Sequence, residues 1–596
     1  MAVVKVDEHK ILLAIICENQ EEGKQQADFF SKLKIQLPVF DKFKIEVAMV
    51  QKDKNLAKTL NTVQKNNDAK FKIFITNPLV ILNQTVVSKI IEAFFMYPNV
   101  GMIGLFGSEI PLNGDYRQAK SFYGSYLFKD TDAALKAHRG KMPLMFQNVH
   151  MVDSSFFATS QKISFDEKAG KNFLMAAQGC RYRQEGWEVG VLYFDEGMIA
   201  FSKDACIYSS AVDAENYAKQ LQNFVNDYKD IINPLVSICI PTYNQPRFVE
   251  FALQSALAQT YKNIEIIIGD DSTNEDTKNM IQPYLKKNKN LKYFYHGGPL
   301  GKKGGNNIRF VLNKSAGKYI NLLFHDDYIF PEKISRMMEY FTRDLENKIT
   351  LTVSARVLID DKNQILGQMN PCKPTEDLIL SGRDVGRKIL FSKINFLGEV
   401  STSLIKRENI LAQDPETGEN ETAIGVFCGV QDKVYGDFGT WLNLLKDGGE
   451  CVFIKETLSA FRRHPQQNTY DMSMKTRLFL EFMGYLTVSW LNNLYFNNYD
   501  EYKYCVRHWK IFYDTYCPRI PESEAAEDIN ANRKILDKMR QLIIEEKYPE
   551  ILDYSINFLL GVLDEKNSIT PLIKKNEKTG LYEKAFDIIP LCGEQR

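Results

Sequence analysis

The chain has 596 residues, 44% hydrophobic and 25% charged, with 75 basic residues against 75 acidic ones. That is material for three or four globular domains of about 150–200 residues, and the zero net charge lacks the basic excess that marks a nucleic-acid-binding surface, so no nucleic acid is expected as a partner. The ten cysteines are scattered with no CxxC pair, which argues against a thiolate metal centre and for a reducing compartment.

No uninterrupted apolar run approaches ~18–20 residues, and the opening MAVVKVDEHK lacks a signal-peptide pattern. A cytoplasmic protein is expected, one that docks on the inner face of a membrane peripherally if at all.

Residues 1 to about 208 alternate strand-like and helix-like segments, with apolar strand runs at 10–16, 44–50 and 71–75 and helix patterns at 25–33 and 84–96. Such alternation favours an α/β layer on a largely parallel sheet. A charged, helix-patterned stretch over 209–234 then reads as a linker helix. A second α/β unit occupies 235–469: a strand at 235–241, Pro246 in a first helical turn, a helix with Val249, Leu253, Ala256 and Leu257 on one face, and a continuously apolar strand at 264–269. From 470 to 596 the pattern is helical, with candidates at 477–494, 502–515, 531–546 and 549–563. It reads as a helical domain for interaction, including self-association.

Three polar clusters of the second unit follow apolar strands: Pro241-Thr242-Tyr243-Asn244, Asp270-Asp271-Ser272 and His325-Asp326-Asp327. Ligands of open parallel sheets bind at the carboxyl ends of strands, so the clusters are expected to line one crevice. There a carboxylate can accept a base N–H, and adjacent carboxylates can hold Mg²⁺ or Mn²⁺ while leaving positions for diphosphate oxygens.

This second unit resembles the family-two glycosyltransferases over about residues 235–470. The resemblance rests on I-P-T-Y-N (240–244), G-D-D-S-T (269–273), G-K-Y-I-N-L-L-F-H-D-D-Y-I-F-P-E-K-I (317–334), G-D-F-G-T-W-L-N-L-L (436–445) and L-S-A-F-R-R-H-P (458–465). It implies a GT-A fold, Rossmann-like with a mostly parallel sheet, and a nucleotide-sugar donor, uridine-linked. By resemblance, Tyr243 and the backbone from Pro241 to Asn244 form the base-binding edge, Asp271 accepts the uracil-type N–H, and Asn307 lies near the nucleotide. Gly305-Asn306 stand where the family has Ala-Arg, so Lys302 or Lys303 is the expected substitute for the missing basic contact. Asp327 becomes the Mn²⁺ or Mg²⁺ ligand and Asp326 faces the donor ribose or sugar. Asp437 becomes the general base of an inverting transfer. Arg462, Arg463 and His464 form a loop closing over the diphosphate, with Arg462 on phosphate and His464 completing the metal shell.

The first unit resembles a glycosyltransferase-like family through V-G-M-I-G-L-F-G-S (100–108) and M-V-D-S-S-F-F-A-T-S (151–160). Registering the two units by their strands sets Asn19 against Asn244, Lys52 against Asp271, Asn77-Pro78 against Asp326-Asp327, and Met175 against Asp437. Metal ligands, base contact and general base are then all missing. A degenerate GT-A-like domain is expected, either a packing surface or a binding surface for acceptor glycan, protein or partner subunit, with Asp153, Asp166 and Asp195 available for polar recognition.

The whole reads as two tandem GT-A-like α/β domains and a helical domain. The expected activity is metal-dependent transfer of a hexosyl or N-acetylhexosaminyl group from a UDP-sugar to a surface glycan or protein. The rival reading is a non-catalytic scaffold that organises other glycosyltransferases.

Overall fold

The computed structural model describes residues 6–31, 43–77, 79–81, 85–128, 134–136, 146–192, 199–201, 213–301, 304–369, 374–413, 420–428, 430–431, 436–465, 472–517, 527–559, 573–575 and 582–584. The chain divides into two compact units, Met1–Pro234 and Leu235–Arg596.

The first unit is built on strands β1 (Asp7–Cys17), β2 (Lys44–Gln51), β3 (Ala69–Ile75), β4 (Val100–Gly104), β5 (Phe146–Asn148), β6 (Phe156–Thr159) and β7 (Glu188–Leu192), in the order β2-β1-β3-β6-β4-β7-β5. β1 shows why the sheet is covered on both faces. Leu12, Ala14 and Ile16 enter one apolar cluster while Ile11, Leu13 and Ile15 enter another, the period-two partition of a strand buried on both sides. Helix α1 (Gly170–Gln184) covers one face through Phe173, Ala176, Ala177 and Cys180.

The stretch expected to be a spacer is instead part of this core. Helix α2 (Ala214–Asp227), capped by the Asp213 carboxylate, buries Tyr217 and Phe224 beside Phe173. The Tyr217 hydroxyl donates to Asp115 at 2.6 Å and the Tyr228 hydroxyl to Asp166 at 2.8 Å. The charged pattern suggested a linker helix, but an aromatic stripe at 217, 224 and 228 decides its place.

The second unit contains β8 (Val236–Thr242), β9 (Ile264–Asp270), β10 (Leu291–Tyr295), β11 (Tyr319–Leu322), β12 (Tyr328–Ile329), β13 (Ile349–Ile359), β14 (Ser403–Lys406) and β15 (Glu450–Arg462), in the order β10-β9-β8-β11-β14-β13-β15-β12. Helix α3 (Pro246–Leu257) has Pro246 in its first turn, where a missing N–H costs nothing. Six strands repeat the first unit: β2-β1-β3-β6-β4-β7 corresponds to β9-β8-β11-β14-β13-β15. Strand directions agree throughout, with β6 and β14 each antiparallel to both neighbours and the other adjacent pairs parallel. Both units are therefore α/β with parallel-rich sheets.

Helix α4 (Gly436–Leu445) carries Trp441, Leu442 and Leu445 into a core shared with α5 (Met472–Leu491), α6 (Tyr499–Tyr516), α7 (Glu527–Ile544) and α8 (Tyr548–Leu559). Phe438 meets Phe482 edge-on at 5.7 Å, and the Tyr495 hydroxyl donates to the Leu442 carbonyl at 2.5 Å. The C-terminal segment is helical over these spans, as its pattern predicts, and its apolar faces are continuous with the core of the sheet.

Candidate active site

The ends of β8 and β9 are tied together by backbone. The Asp271 N–H donates to the Thr242 carbonyl at 3.0 Å, and Asn244, held at φ +50°, donates its N–H to the Ser272 hydroxyl at 2.8 Å. The Asn244 side-chain oxygen accepts from the Thr273 N–H at 3.0 Å, so this residue braces one loop against the other. Asp271 lies just past the strand end, 2% exposed, and its Oδ1 has no hydrogen-bond partner among the described residues. Burial raises its proton affinity against the Leu300 N–H, which favours the carboxylate. Tyr243, 47% exposed, follows Pro241 and Thr242 at the end of β8.

The second acidic cluster follows β11. His325 Nδ1 lies 3.3 Å from the Pro241 carbonyl, linking this loop to the end of β8. Asp327 is 3% exposed, and its carboxyl is pushed well above the ordinary range by burial, then by the Asp326 and Glu399 carboxylates. His464 Nε2 lies 3.3 Å from Asp326 Oδ2, and its ring packs on Phe248 at 4.8 Å. The structure thus brings His464 to Asp326, with Asp327 next in the chain.

Two expected donor contacts have other duties here. Arg462, expected on phosphate, is fully buried at the end of β15. Its Nε donates to the Asp326 carbonyl at 2.9 Å, its Nη1 to the Asp360 carbonyl at 2.7 Å, and its N–H to Asp327 Oδ1 at 3.3 Å. It braces the acidic turn from behind, while Arg463 is exposed. Asn307, expected near the nucleotide, is likewise buried and donates to the carbonyls of Gly269 at 2.8 Å and Thr242 at 3.3 Å, clamping the ends of β8 and β9. In both cases the sequence supplies the residue type but not the backbone carbonyls that capture it. Lys302 and Lys303 lie outside the described residues.

Asp437 is the second residue of α4, half-buried. Burial and the Glu399 carboxylate push its carboxyl up to about 7, against the Val400 N–H and the Arg356 guanidinium. Glu399 pairs with Arg356, Nε to Oε2 at 2.7 Å. A buried lysine, Lys333, donates to the Ser401 carbonyl and to the Ser459 hydroxyl at 2.8 Å. Sequence reasoning passed over Glu399, Arg356 and Lys333. The available sign was a lone charge inside an apolar run, Arg356 within β13 and Glu399 within F-L-G-E-V, since charges buried there must be paired.

Among the described residues no three acidic, histidine or cysteine side chains are grouped as a ready metal site. The donor chemistry nevertheless fits a hard divalent cation. Asp326 and Asp327 offer carboxylate oxygens, His464 an imidazole, and the crowded negative charge at buried Asp327 is what such an ion offsets.

The first unit keeps the frame of these strand ends with other side chains. The Lys52 N–H donates to the Cys17 carbonyl at 2.9 Å, the same bond that Asp271 makes to Thr242 at 3.0 Å. Lys52 therefore occupies the Asp271 position, and its ammonium is paired with Glu18 at 2.8 Å. The third register needs correction by one residue: Ala14 pairs with Phe74 where Cys239 pairs with Leu322, so Asn77 falls opposite His325 rather than Asp326. Met175 is buried within α1. Asp153 accepts from the Ser155 N–H at 2.8 Å and Asp166 from the Tyr228 hydroxyl at 2.8 Å, both in internal roles, and Asp195 lies outside the described residues.

With the geometry in place, comparison with known proteins is direct. Residues 237–368 match glycosyl transferase family 2, and residues 13–228 match a glycosyltransferase like family. An uncharacterized glycosyltransferase of Rickettsia conorii is 36% identical over 146 residues, 24% of this chain and 23% of the relative. The GalNAc(5)-diNAcBac-PP-undecaprenol beta-1,3-glucosyltransferase of Campylobacter jejuni is 24% identical over 286 residues, 47% of this chain and 81% of that protein. Staphylococcus aureus TarS 1-349 in complex with UDP-GlcNAc is similar at 13% identity and a TM-score of 0.36, covering 59% of this chain and 99% of that one. The chain spans under a quarter of the length of the Rickettsia conorii relative, at 23%.

Proposed function

We propose that the glycosyl transferase family 2 domain of the second unit moves a sugar, with inversion, from a uridine-linked nucleotide-sugar to a hydroxyl of a glycan or protein acceptor. The observation that carries this reading is Asp437, a half-buried carboxyl held near neutrality in the unit whose strand ends also present Asp271, Asp326 and Asp327. A base poised near the working pH takes a proton most effectively.

Asp271 Oδ1, buried and unpartnered among the described residues, suits the uracil N–H. Tyr243 flanks the base, and the bracing by Asn244 and Asn307 fixes the loops that present both. As the acceptor oxygen attacks the anomeric carbon, its proton passes to an Asp437 oxygen. The bond from that carbon to the diphosphate oxygen breaks on the opposite face, and the nucleoside diphosphate leaves with the electron pair. Asp326, Asp327 and His464 would hold Mn²⁺ or Mg²⁺, which when bound offsets the charge on the diphosphate. Arg462 keeps the two acidic residues in place, and exposed Arg463 is the guanidinium open to phosphate.

The test has two arms. Thermal-shift screening of nucleotide-sugars with Mn²⁺ should single out a UDP-sugar, since a ligand that binds the folded state raises its apparent stability. With that donor, Asp437→Asn should abolish turnover while leaving donor affinity within about threefold. Undiminished turnover removes Asp437 as base, and absence of any nucleotide-sugar binding favours a scaffold.

A further inference from the structure

The groups that act on Asp437 come largely from one segment. The loop 395–403, which precedes β14, is heavily constrained. Asn395 Nδ2 donates to the Gly398 carbonyl at 2.9 Å, the Gly398 N–H returns to Asn395 Oδ1 at 3.0 Å, and Trp441 Nε1 donates to the same Gly398 carbonyl at 3.0 Å. The Thr402 hydroxyl donates to the Leu397 carbonyl at 3.0 Å. Gly398 sits at φ +96°, and a Cβ there would lie 2.7 Å from Arg356 Nη1, so the backbone passes against the guanidinium.

The result is a two-pronged clamp on Glu399. Arg356 Nε lies 2.7 Å from Oε2 and Nη2 lies 3.3 Å from Oε1, with the two side chains 3% and 15% exposed. The loop also meets both functional carboxyls: the Val400 N–H donates to Asp437, and the Ser401 hydroxyl hydrogen-bonds Asp327. Lys333 and Asn321 both donate to the Ser401 carbonyl from below.

We infer that Glu399, fixed by Arg356 on a loop that Trp441 ties to the helix bearing Asp437, is a positioning residue of the transfer: an immobile anion that acts on the group taking the proton of the attacking hydroxyl. The inference rests on the reading of Asp437 as base. A buried carboxylate is costly without its countercharge; the guanidinium supplies one, and Trp441, four residues after Asp437, holds the adjoining Gly398 against the helix that bears it. The charged groups acting on Asp437 are Glu399, which favours its protonated form, and Arg356, which opposes that. Asp327 also feels Glu399.

The test needs no substrate. Because Asp437 binds its proton more tightly folded than unfolded, it contributes stability below about pH 4, its ordinary range, that is lost as pH rises and fully lost above about 7. The melting temperature of the full chain minus that of Asp437→Asn should therefore fall between about pH 4 and 7 and then level off. Repeated in the Glu399→Gln background, the levelling point should drop by about one pH unit, a tenfold loss of proton affinity. Glu399→Asp, which keeps the anion, should return it towards its original pH. All proteins are measured in metal-free buffer with sucrose, which favours the compact state and keeps the Gln variant readable.

A levelling point unmoved by Glu399→Gln overturns the inference, because a purely structural role would lower all melting temperatures without displacing it. The two readings fail separately. Asp437→Asn with intact turnover removes the base whatever the melting curves do, whereas lost turnover with an unmoved levelling point removes only the role of Glu399.

Discussion

Asp270 and Asp271 are adjacent and have opposite fates. Asp270 is fully buried and accepts from the Ser272 N–H at 2.9 Å and the Tyr293 hydroxyl at 2.6 Å, so it holds the turn. Asp271 keeps one oxygen without a partner among the described residues. Asp271→Asn should weaken UDP binding by roughly 1.5–3 kcal/mol, about tenfold to a hundredfold, because a hydrogen bond to a charged acceptor is lost. Asp270→Asn should lower stability by roughly 1 kcal/mol with a smaller change in affinity; calorimetry and melting curves on the two variants separate these outcomes. For Asp437, held at about 7, kcat/KM should fall as pH drops through about 7, since only the carboxylate accepts a proton. A profile flat from pH 6 to 8 would speak against it. The acidic clusters were legible because they follow apolar strands, whose carboxyl ends form a crevice in any such sheet. The bracing contacts of Arg462 and Asn307 were not legible because their anchors are carbonyls at Asp326, Asp360, Gly269 and Thr242, distant in sequence.

At the scale of elements, the loop 395–403 shows what a sequence conceals. Its value comes from Arg356, 43 residues before Glu399, and from Trp441 after it. No periodicity reports such pairings. Gly398→Ala should destabilise the second unit by about 2 kcal/mol or more, from positive φ and collision with Arg356, and should reduce turnover with it. Denaturant unfolding with a transfer assay measures both, and an unchanged midpoint would mean the loop yields easily. Helix α2 teaches the converse: its aromatic stripe was readable, but an even spread of charge drew attention away from it.

At the scale of the molecule, helices α5–α8 are continuous with the core that carries α4, the helix bearing Asp437. Ending the chain after residue 465 would strip Phe482 from Phe438 and Tyr495 from Leu442. Such a protein should be insoluble or bind a hydrophobic dye strongly, as exposed core surface does; a soluble, cooperatively melting product would show that the helices are dispensable. The tandem layout was legible from strand runs alone, and the sheet orders repeat over six strands.

The matched N–H bonds of Lys52 and Asp271 carry one further consequence. The first unit reproduces the backbone bond at the proposed nucleotide edge but places there an ammonium already paired to Glu18. Titration with UDP should therefore saturate at one equivalent per chain, and Lys52→Ala should leave that isotherm untouched. Under the proposed function the molecule carries its own blank, a second copy of the same strand-end frame with a lysine where the proposed site has Asp271.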